Sequence, residues 1–237
     1  TVSTWDYTTM YLIEGEDKAV LIDTGTRCAD LDKIVGQITG KPLEVIVTHM
    51  HPDHAGCIKY FDKVWMHRAD TVLVPQHAAD YQGEFLYMEE GQVFDLGGRK
   101  LEVAWMPGHT PGSVVLLDKA NGDCYSGDAF GSGEVWLQCV PMSPIATFHE
   151  SCCRMEKLMK EGHIKDIWCG HYPYLKSSLP LAYIQTMIRI SHRLMNGDQE
   201  GSEPYSNYFI KMPPTARKLA EGRAMIVYDS TNIPEAR

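Results

Sequence analysis

Thr48-His49-Met50-His51-Pro52-Asp53-His54 is the stretch that decides how this chain reads. It follows Leu43-Glu44-Val45-Ile46-Val47, a mostly apolar run with the character of a buried strand. Four metal-competent side chains fall within six residues at its end. Imidazole and carboxylate together suit zinc, iron or manganese. His49 and His51 can aim the same way only from an extended or tightly looped backbone. Pro52 biases His51 away from helical geometry, so a loop is expected here rather than a helix.

Three later segments repeat the pattern of a polar ligand type after an apolar strand. They are Pro107-Gly108-His109-Thr110-Pro111-Gly112-Ser113, Ser126-Gly127-Asp128 and Cys169-Gly170-His171. Taken singly, each reads equally well as an ordinary turn. Taken together, they suggest an α/β scaffold that carries its chemistry on loops at strand ends.

The rest of the chain supports that scaffold. A hairpin is expected at 9–13 and 19–23, a helix at 29–38 and a strand at 64–66. Residues 68–91 read as helix and irregular loop. Strands follow at 92–96, 100–105, 113–117 and 123–126, then a helix at 148–159, a strand at 164–169 and a helix at 181–195. Residues 196–214 read as a long loop and 224–228 as a closing strand. No composition break divides the chain, so a single domain over 1–237 is expected, with 176–237 as a helix-and-loop extension packed on it.

Composition narrows the function. The chain has 237 residues, 22 Lys+Arg against 31 Asp+Glu, and a net charge of −9. That balance argues against a nucleic-acid partner. No apolar run approaches the roughly 18–20 residues that span a bilayer, so no membrane partner is expected. The seven cysteines are odd in number and show no C-x-x-C spacing, which points to reduced thiols and a cytoplasmic protein. No signal-peptide pattern opens the chain, although it starts at Thr1 and secretion therefore stays open. The helix at 181–195 is a candidate homo-oligomer interface.

With these motifs in order, the chain resembles the metallo-β-lactamase superfamily from about Tyr11 to His171. Leu21-Ile22-Asp23-Thr24-Gly25, the H-x-H-x-D-H stretch, Gly108-His109-Thr110-Pro111-Gly112-Ser113, Gly127-Asp128 and Gly170-His171 carry the resemblance. It implies an αββα sandwich of two packed mixed β-sheets flanked by helices. It also implies two metals: His49, His51 and His109 on the first, Asp53, His54 and His171 on the second, and Asp128 between them. Asp23 would orient ligands rather than bind metal, with a turn-capping role as the alternative. The remaining histidines, His67, His77, His149, His163 and His192, match no ligand position.

The implied activity is binuclear, two Zn2+ with iron or manganese as alternatives, using a metal-bridging hydroxide on a small ester, thioester or lactone. Asp53 would orient that nucleophile or accept its proton. His51 stands where flavodiiron-type reductases carry a glutamate. Asp128 stands where antibiotic-hydrolysing enzymes typically carry Cys or Ser. Glyoxalase II and acyl-homoserine lactonases are the nearer analogies, but Gly131 replaces the lactonase tyrosine and no basic cluster marks the C-terminal segment. Phosphodiester hydrolysis, an iron-dependent persulfide dioxygenase-like activity and a metal-keeping binding module are the rival expectations. Loops 76–90, 130–144 and 196–214 are candidate cleft walls, with Tyr81, Phe85, Tyr87, Trp136, Tyr205, Tyr208 and Phe209 among their aromatics. Phe130, Gly131, Trp136 and Tyr172 are the expected pocket for a small-molecule substrate, and the Gly131-Ser132-Gly133 amides are candidate donors to an oxyanion.

Overall fold

The computed structural model describes residues 2–3, 7–207 and 211–234. Tyr208 and Phe209 lie outside them. The first sheet has six strands in the order β1 (Val2–Ser3), β2 (Thr9–Glu14), β3 (Ala19–Ile22), β4 (Leu43–Ile46), β5 (Lys63–His67) and β6 (Glu84–Met88). Its first three strands are antiparallel and the pairs from β3 to β6 are parallel. The second sheet brings together β7 (Val93–Asp95), β8 (Lys100–Trp105), β9 (Val114–Asp118) and β10 (Asp123–Gly127) as an antiparallel meander. A further strand, β12 (Asp166–Cys169), joins it parallel to β10. A third, smaller sheet holds β11 (Glu134–Trp136), β13 (Glu203–Pro204), β14 (Ala216–Glu221) and β15 (Ala224–Asp229).

The burial pattern shows why the two large sheets pack face to face. Tyr11, Ile13, Val20 and Ile22 from the first sheet meet Leu101, Val103, Val114 and Leu116 from the second in one core. The intervening residues point the other way. Leu21 and Val45 turn outward to helix α1 (Leu31–Ile38), whose Leu31 and Val35 cover them. Val115 and Leu117 turn toward Phe148, Cys152 and Met155 of α4 (Ile145–Lys160). Strands buried on both faces read as continuous apolar runs, which explains Val114-Val115-Leu116-Leu117. Each such side chain contributes roughly 1.5–3 kcal/mol when fully buried. The result is the expected αββα sandwich of mixed sheets.

Helix α6 (Leu181–Met195) packs on the same outer core as α4 through Tyr183, Ile184, Met187 and Ile190. Leu219, Ile226 and Tyr228 of the small sheet join that core. Three short helices, α2 (Pro52–Ala55), α3 (Val74–His77) and α5 (Tyr172–Leu175), sit in loops after strands. No helix among the described residues is long and apolar enough to cross a membrane.

Several expectations change. Residues 84–88 form a strand, not loop, because they pair with β5 in register from Lys63–Glu84 to His67–Met88. Residues 216–221, Ala-Arg-Lys-Leu-Ala-Glu, form a strand against β15, although their composition favours helix. In both cases, pairing with a distant strand overrides local preference. The extension is therefore a helix plus a hairpin-bearing sheet rather than a helix and a loop.

The two sheets are stitched along one edge. Val114 N–H donates to Thr48 O at 3.0 Å, and Thr9 N–H donates to Gly170 O at 2.6 Å. Every polar strand-end segment singled out in the sequence meets at this edge.

Candidate metal centre

Two groups of ligand-type atoms converge there, each within 4.8 Å of one another: His49, His51 and His109 in one, and Asp53, His54, Asp128 and His171 in the other. They arrive from both sheets. His49 and His51 follow β4, and Asp53 and His54 lie in α2. His109 follows β8, Asp128 follows β10 and His171 follows β12. His51 Nδ1 stands 2.9 Å from His109 Nε2 across 58 residues of chain. His171 Nε2 is 3.2 Å from Asp128 and 3.3 Å from Asp53. Asp128 also lies 3.5 Å from His54 Nε2 and 4.0 Å from His109 Nε2, so it stands between the two groups.

Three of the five imidazoles are oriented by a bond on the far side. His109 Nδ1 donates to Trp136 O at 2.7 Å. His54 Nδ1 donates to Asp23 Oδ2 at 2.7 Å. His49 Nδ1 contacts Thr48 Oγ1 at 3.1 Å, and that hydroxyl donates to Asp23 Oδ2 at 3.0 Å. Such bonds fix the ring orientation and turn the other nitrogen inward. Asp23 also accepts the Thr48 N–H at 2.7 Å and is almost wholly buried. Its φ of 62° is a left-handed conformation that Asp tolerates better than most residues. Asp23 thus contacts His54 directly and reaches His49 through Thr48.

The donor set fits divalent cations on the structure's own terms. His49 Nε2, His54 Nε2, Asp128 Oδ1 and His171 Nδ1 are buried without a hydrogen-bond partner. Buried polar atoms are rarely left so, and three of these four lie among the inward-facing nitrogens and carboxylate oxygens of the two groups. Five imidazoles and two carboxylates suit zinc, iron or manganese.

The two groups differ in charge. Burial, with the neighbouring histidines, holds His49 well below the ordinary imidazole range. Burial and His109 push His51 down to about 3, and burial lowers His109. These three are neutral donors. In the other group burial opposes charge, but the carboxylates prevail. Asp53, Asp128 and Asp23 raise His54 well above its ordinary value, and Asp128 and Asp53 raise His171 to about 10. Burial likewise works against Asp53 and Asp128 as anions, yet His54 and His171 hold both below the usual carboxylate range.

Gly170 shows how tightly the strand ends press on this centre. A Cβ there would lie 2.5 Å from His54 Cε1 and 2.6 Å from Asp128 Oδ1, so only glycine fits.

Two members of the expected substrate pocket, Phe130 and Gly131, need correction. Phe130 is fully buried in the outer core, and its carbonyl accepts the Tyr183 hydroxyl at 2.7 Å. Gly131 is buried in a turn, its N–H donating to Asp128 O, and Ser132 N–H donates to Glu134 O. Those two amides are therefore spent and do not face an oxyanion. Trp136 serves through its carbonyl on His109, while its indole N–H donates to Glu134 and its ring meets Tyr205. Tyr172 packs near Trp168. Tyr81, Phe85 and Tyr87 pack against the core beneath the first sheet.

Other residues also stand near the donor groups. The His77 ring is 5.8 Å from His51, although nothing in its spacing marks it. Thr8 Oγ1 lies 3.5 Å from Asp53 Oδ2. Tyr174 is 5.8 Å from His171 and 5.4 Å from Tyr7, and both tyrosines are exposed. Cys139 is pushed up to about 12 by burial and by Asp53 and Asp128, so its thiol stays protonated. His67, His149, His163 and His192 make their contacts elsewhere, with Trp105, Ser191, Glu161 and Asn196.

A family model described as the metallo-beta-lactamase superfamily matches residues 3–138. Human acyl-coenzyme A thioesterase MBLAC2 is 26% identical over 202 residues, covering 69% of this chain and 72% of the relative. Hydroxyacylglutathione hydrolase of Aeromonas salmonicida is 27% identical over 179 residues, covering 73% of this chain and 64% of the relative. Among solved structures, TTHA1623 in a di-iron-bound form aligns with a TM-score of 0.61 at 26% identity, over 76% of this chain and 94% of that one.

Proposed function

Because this chain belongs to the metallo-β-lactamase superfamily and is a metal-dependent hydrolase, we propose that it cleaves a small acyl thioester at a pair of cations, most readily zinc. The observation that carries this is the convergence of two donor groups with buried, unpartnered ligand atoms. His49, His51 and His109 would hold one cation. Asp53, His54 and His171 would hold the other, with Asp128 shared. When bound, such cations lower the pKa of water toward ~7 and polarise a carbonyl oxygen. The di-iron form of the neighbour makes iron the competing metal for the same donors.

The chain's own residues supply the rest. No protein nucleophile is required, and Cys139, the thiol beside the site, is held protonated. Asp53 has the most exposed side chain of its group, at 32% against 16% for Asp128 and His171. It stays anionic at neutral pH. It is therefore the group that orients an attacking water and accepts its proton. A thiolate leaves without needing that proton at once, because a thiol's ordinary pKa is only ~8.5. That chemistry, and two relatives named for action on acyl-coenzyme A and hydroxyacylglutathione, favour a thioester over an ester or lactone.

The test is a panel of short acyl thioesters, carboxyl esters, lactones and a phosphodiester, run beside elemental analysis. Close to two metals per chain and a preference for thioesters are expected, with His51→Ala inactive. Full turnover by His51→Ala would sink the mechanism, and a preferred phosphodiester would replace the substrate class.

A further inference from the structure

Asp70 is a carboxylate that neither donor group uses. It sits in the 3-10 turn Arg68–Leu73 after β5, with no solvent exposure. Three donors from two different loops converge on it. Met50 N–H reaches Oδ2 at 2.9 Å, Thr110 Oγ1 donates to Oδ2 at 3.0 Å, and Gly112 N–H reaches Oδ1 at 2.5 Å. Met50 lies between His49 and His51, and Thr110 follows His109. The loop at 107–113 presses so closely on this carboxylate that a Cβ at Gly112 would lie 2.6 Å from Oδ1 and Cγ. A buried anion is costly unless its oxygens are satisfied, and here neutral donors satisfy them.

The arrangement mirrors Asp23, which fastens Thr48 and His54. Asp23 secures the end of the motif that feeds the second donor group. Asp70 secures the point where the first motif meets the loop of His109.

We propose that Asp70 is a positioning residue that clamps the His49–His51 loop to the His109 loop and so sets the cation affinity of the His49, His51 and His109 group. This rests on the metal-centre reading above. It also gives the 2.9 Å approach of His51 to His109 a structural cause. Asp70 touches no substrate; it acts through the loops that carry three ligands.

The test uses metal-free full-length protein titrated with Co2+ alone, followed by calorimetry and visible absorption. Wild type, Asp70→Asn and His109→Ala are compared, together with metal-free melting temperatures. Asparagine keeps the volume but turns an NH2 toward one of the three donors. One of the two binding steps should weaken about 10–100-fold in Asp70→Asn. It should be the step that His109→Ala removes, while the other stays within about threefold. Thr110→Val removes one of the three bonds, and the same step should weaken to a smaller degree. That variant decides the matter if Asp70→Asn does not fold. Two unchanged steps would overturn the proposal. So would equal weakening of both steps with a lowered metal-free melting temperature, the mark of general support for the fold. Failure of wild type to bind Co2+ would overturn the metal reading and this proposal with it, and it would appear before any variant is made.

Discussion

Asp23 Oδ2 lies 2.7 Å from His54 Nδ1, and both side chains are sealed from solvent. The carboxylate thereby fixes which imidazole nitrogen faces the donor group, and it does so from a left-handed backbone position. Asp23→Asn should leave His54 free to take the wrong tautomer and weaken cation binding about 10–100-fold. Asp23→Ala should also leave the Thr48 and His54 donors unpaired, lowering stability by roughly 2–5 kcal/mol. Calorimetric titration and denaturant melts measure the two effects. Unaltered cation affinity in Asp23→Asn would remove its orienting role.

Asp53 is the anionic, partly exposed carboxylate of the centre. Asp53→Asn should lower kcat about 10²–10⁴-fold through loss of proton transfer, with a much smaller change in KM. Its bound metal must be measured in parallel. A kcat loss restored by supplying extra metal would reassign Asp53 to metal retention alone.

The charge states predict a bell in the stability of the metal-free protein. His54 and His171 have raised folded values, His171 to about 10. Their stabilisation is complete below the unfolded value of ~6.5 and is lost as pH rises toward 10. His49, His51 and His109 have lowered folded values, so their stabilisation is present above ~6.5 and is lost as pH falls toward 3. Asp53 and Asp128, also lowered, lose theirs below ~3.8. The melting temperature of chelator-treated protein should peak near pH ~6.5. A steady rise from pH 5 to pH 9 would contradict these assignments.

Proton release on metal binding should separate the two donor groups. At pH 7 the neutral His49, His51 and His109 have nothing to give up. His54 and His171 must shed on the order of one to two protons to expose lone pairs. Titrations in buffers of different ionisation enthalpy read the number directly. His171→Ala should reduce the release, and His109→Ala should not.

Gly170→Ala places a methyl group against His54 and Asp128. Overpacking of this kind costs about 1–3 kcal/mol, and here it falls on two ligand-type side chains. Reduced cation content should accompany the lower melting temperature. A variant that melted earlier yet kept its full metal complement would show the contact to be relieved by backbone movement.

Much of this was legible from local pattern. Runs such as Val114-Val115-Leu116-Leu117 announce strands buried on both faces, because only a two-sided core makes continuous apolar strands favourable. The polar breaks after them, at His49, His109, Asp128 and His171, mark where each strand leaves that core. Strand β6 and strand β14 were not legible, because their stability comes from partners rather than from their own propensities. His77 was passed over for the same reason: only packing brings its ring to His51.

The sequence by itself carried the ordered motifs whose resemblance to the metallo-β-lactamase superfamily implies the fold class, and it named the seven ligand-type residues and Asp23 that this resemblance points to. The tertiary structure alone decided which of them meet, how their charges divide and what else reaches them. It buried Phe130, spent the Gly131 and Ser132 amides in a turn, and brought Asp70 between two loops. An acidic residue in a short turn after a strand carries no local mark of such a place. Its role arises only when Met50, Thr110 and Gly112 converge on it, and that convergence is a property of burial and distance, which no local pattern of residues records.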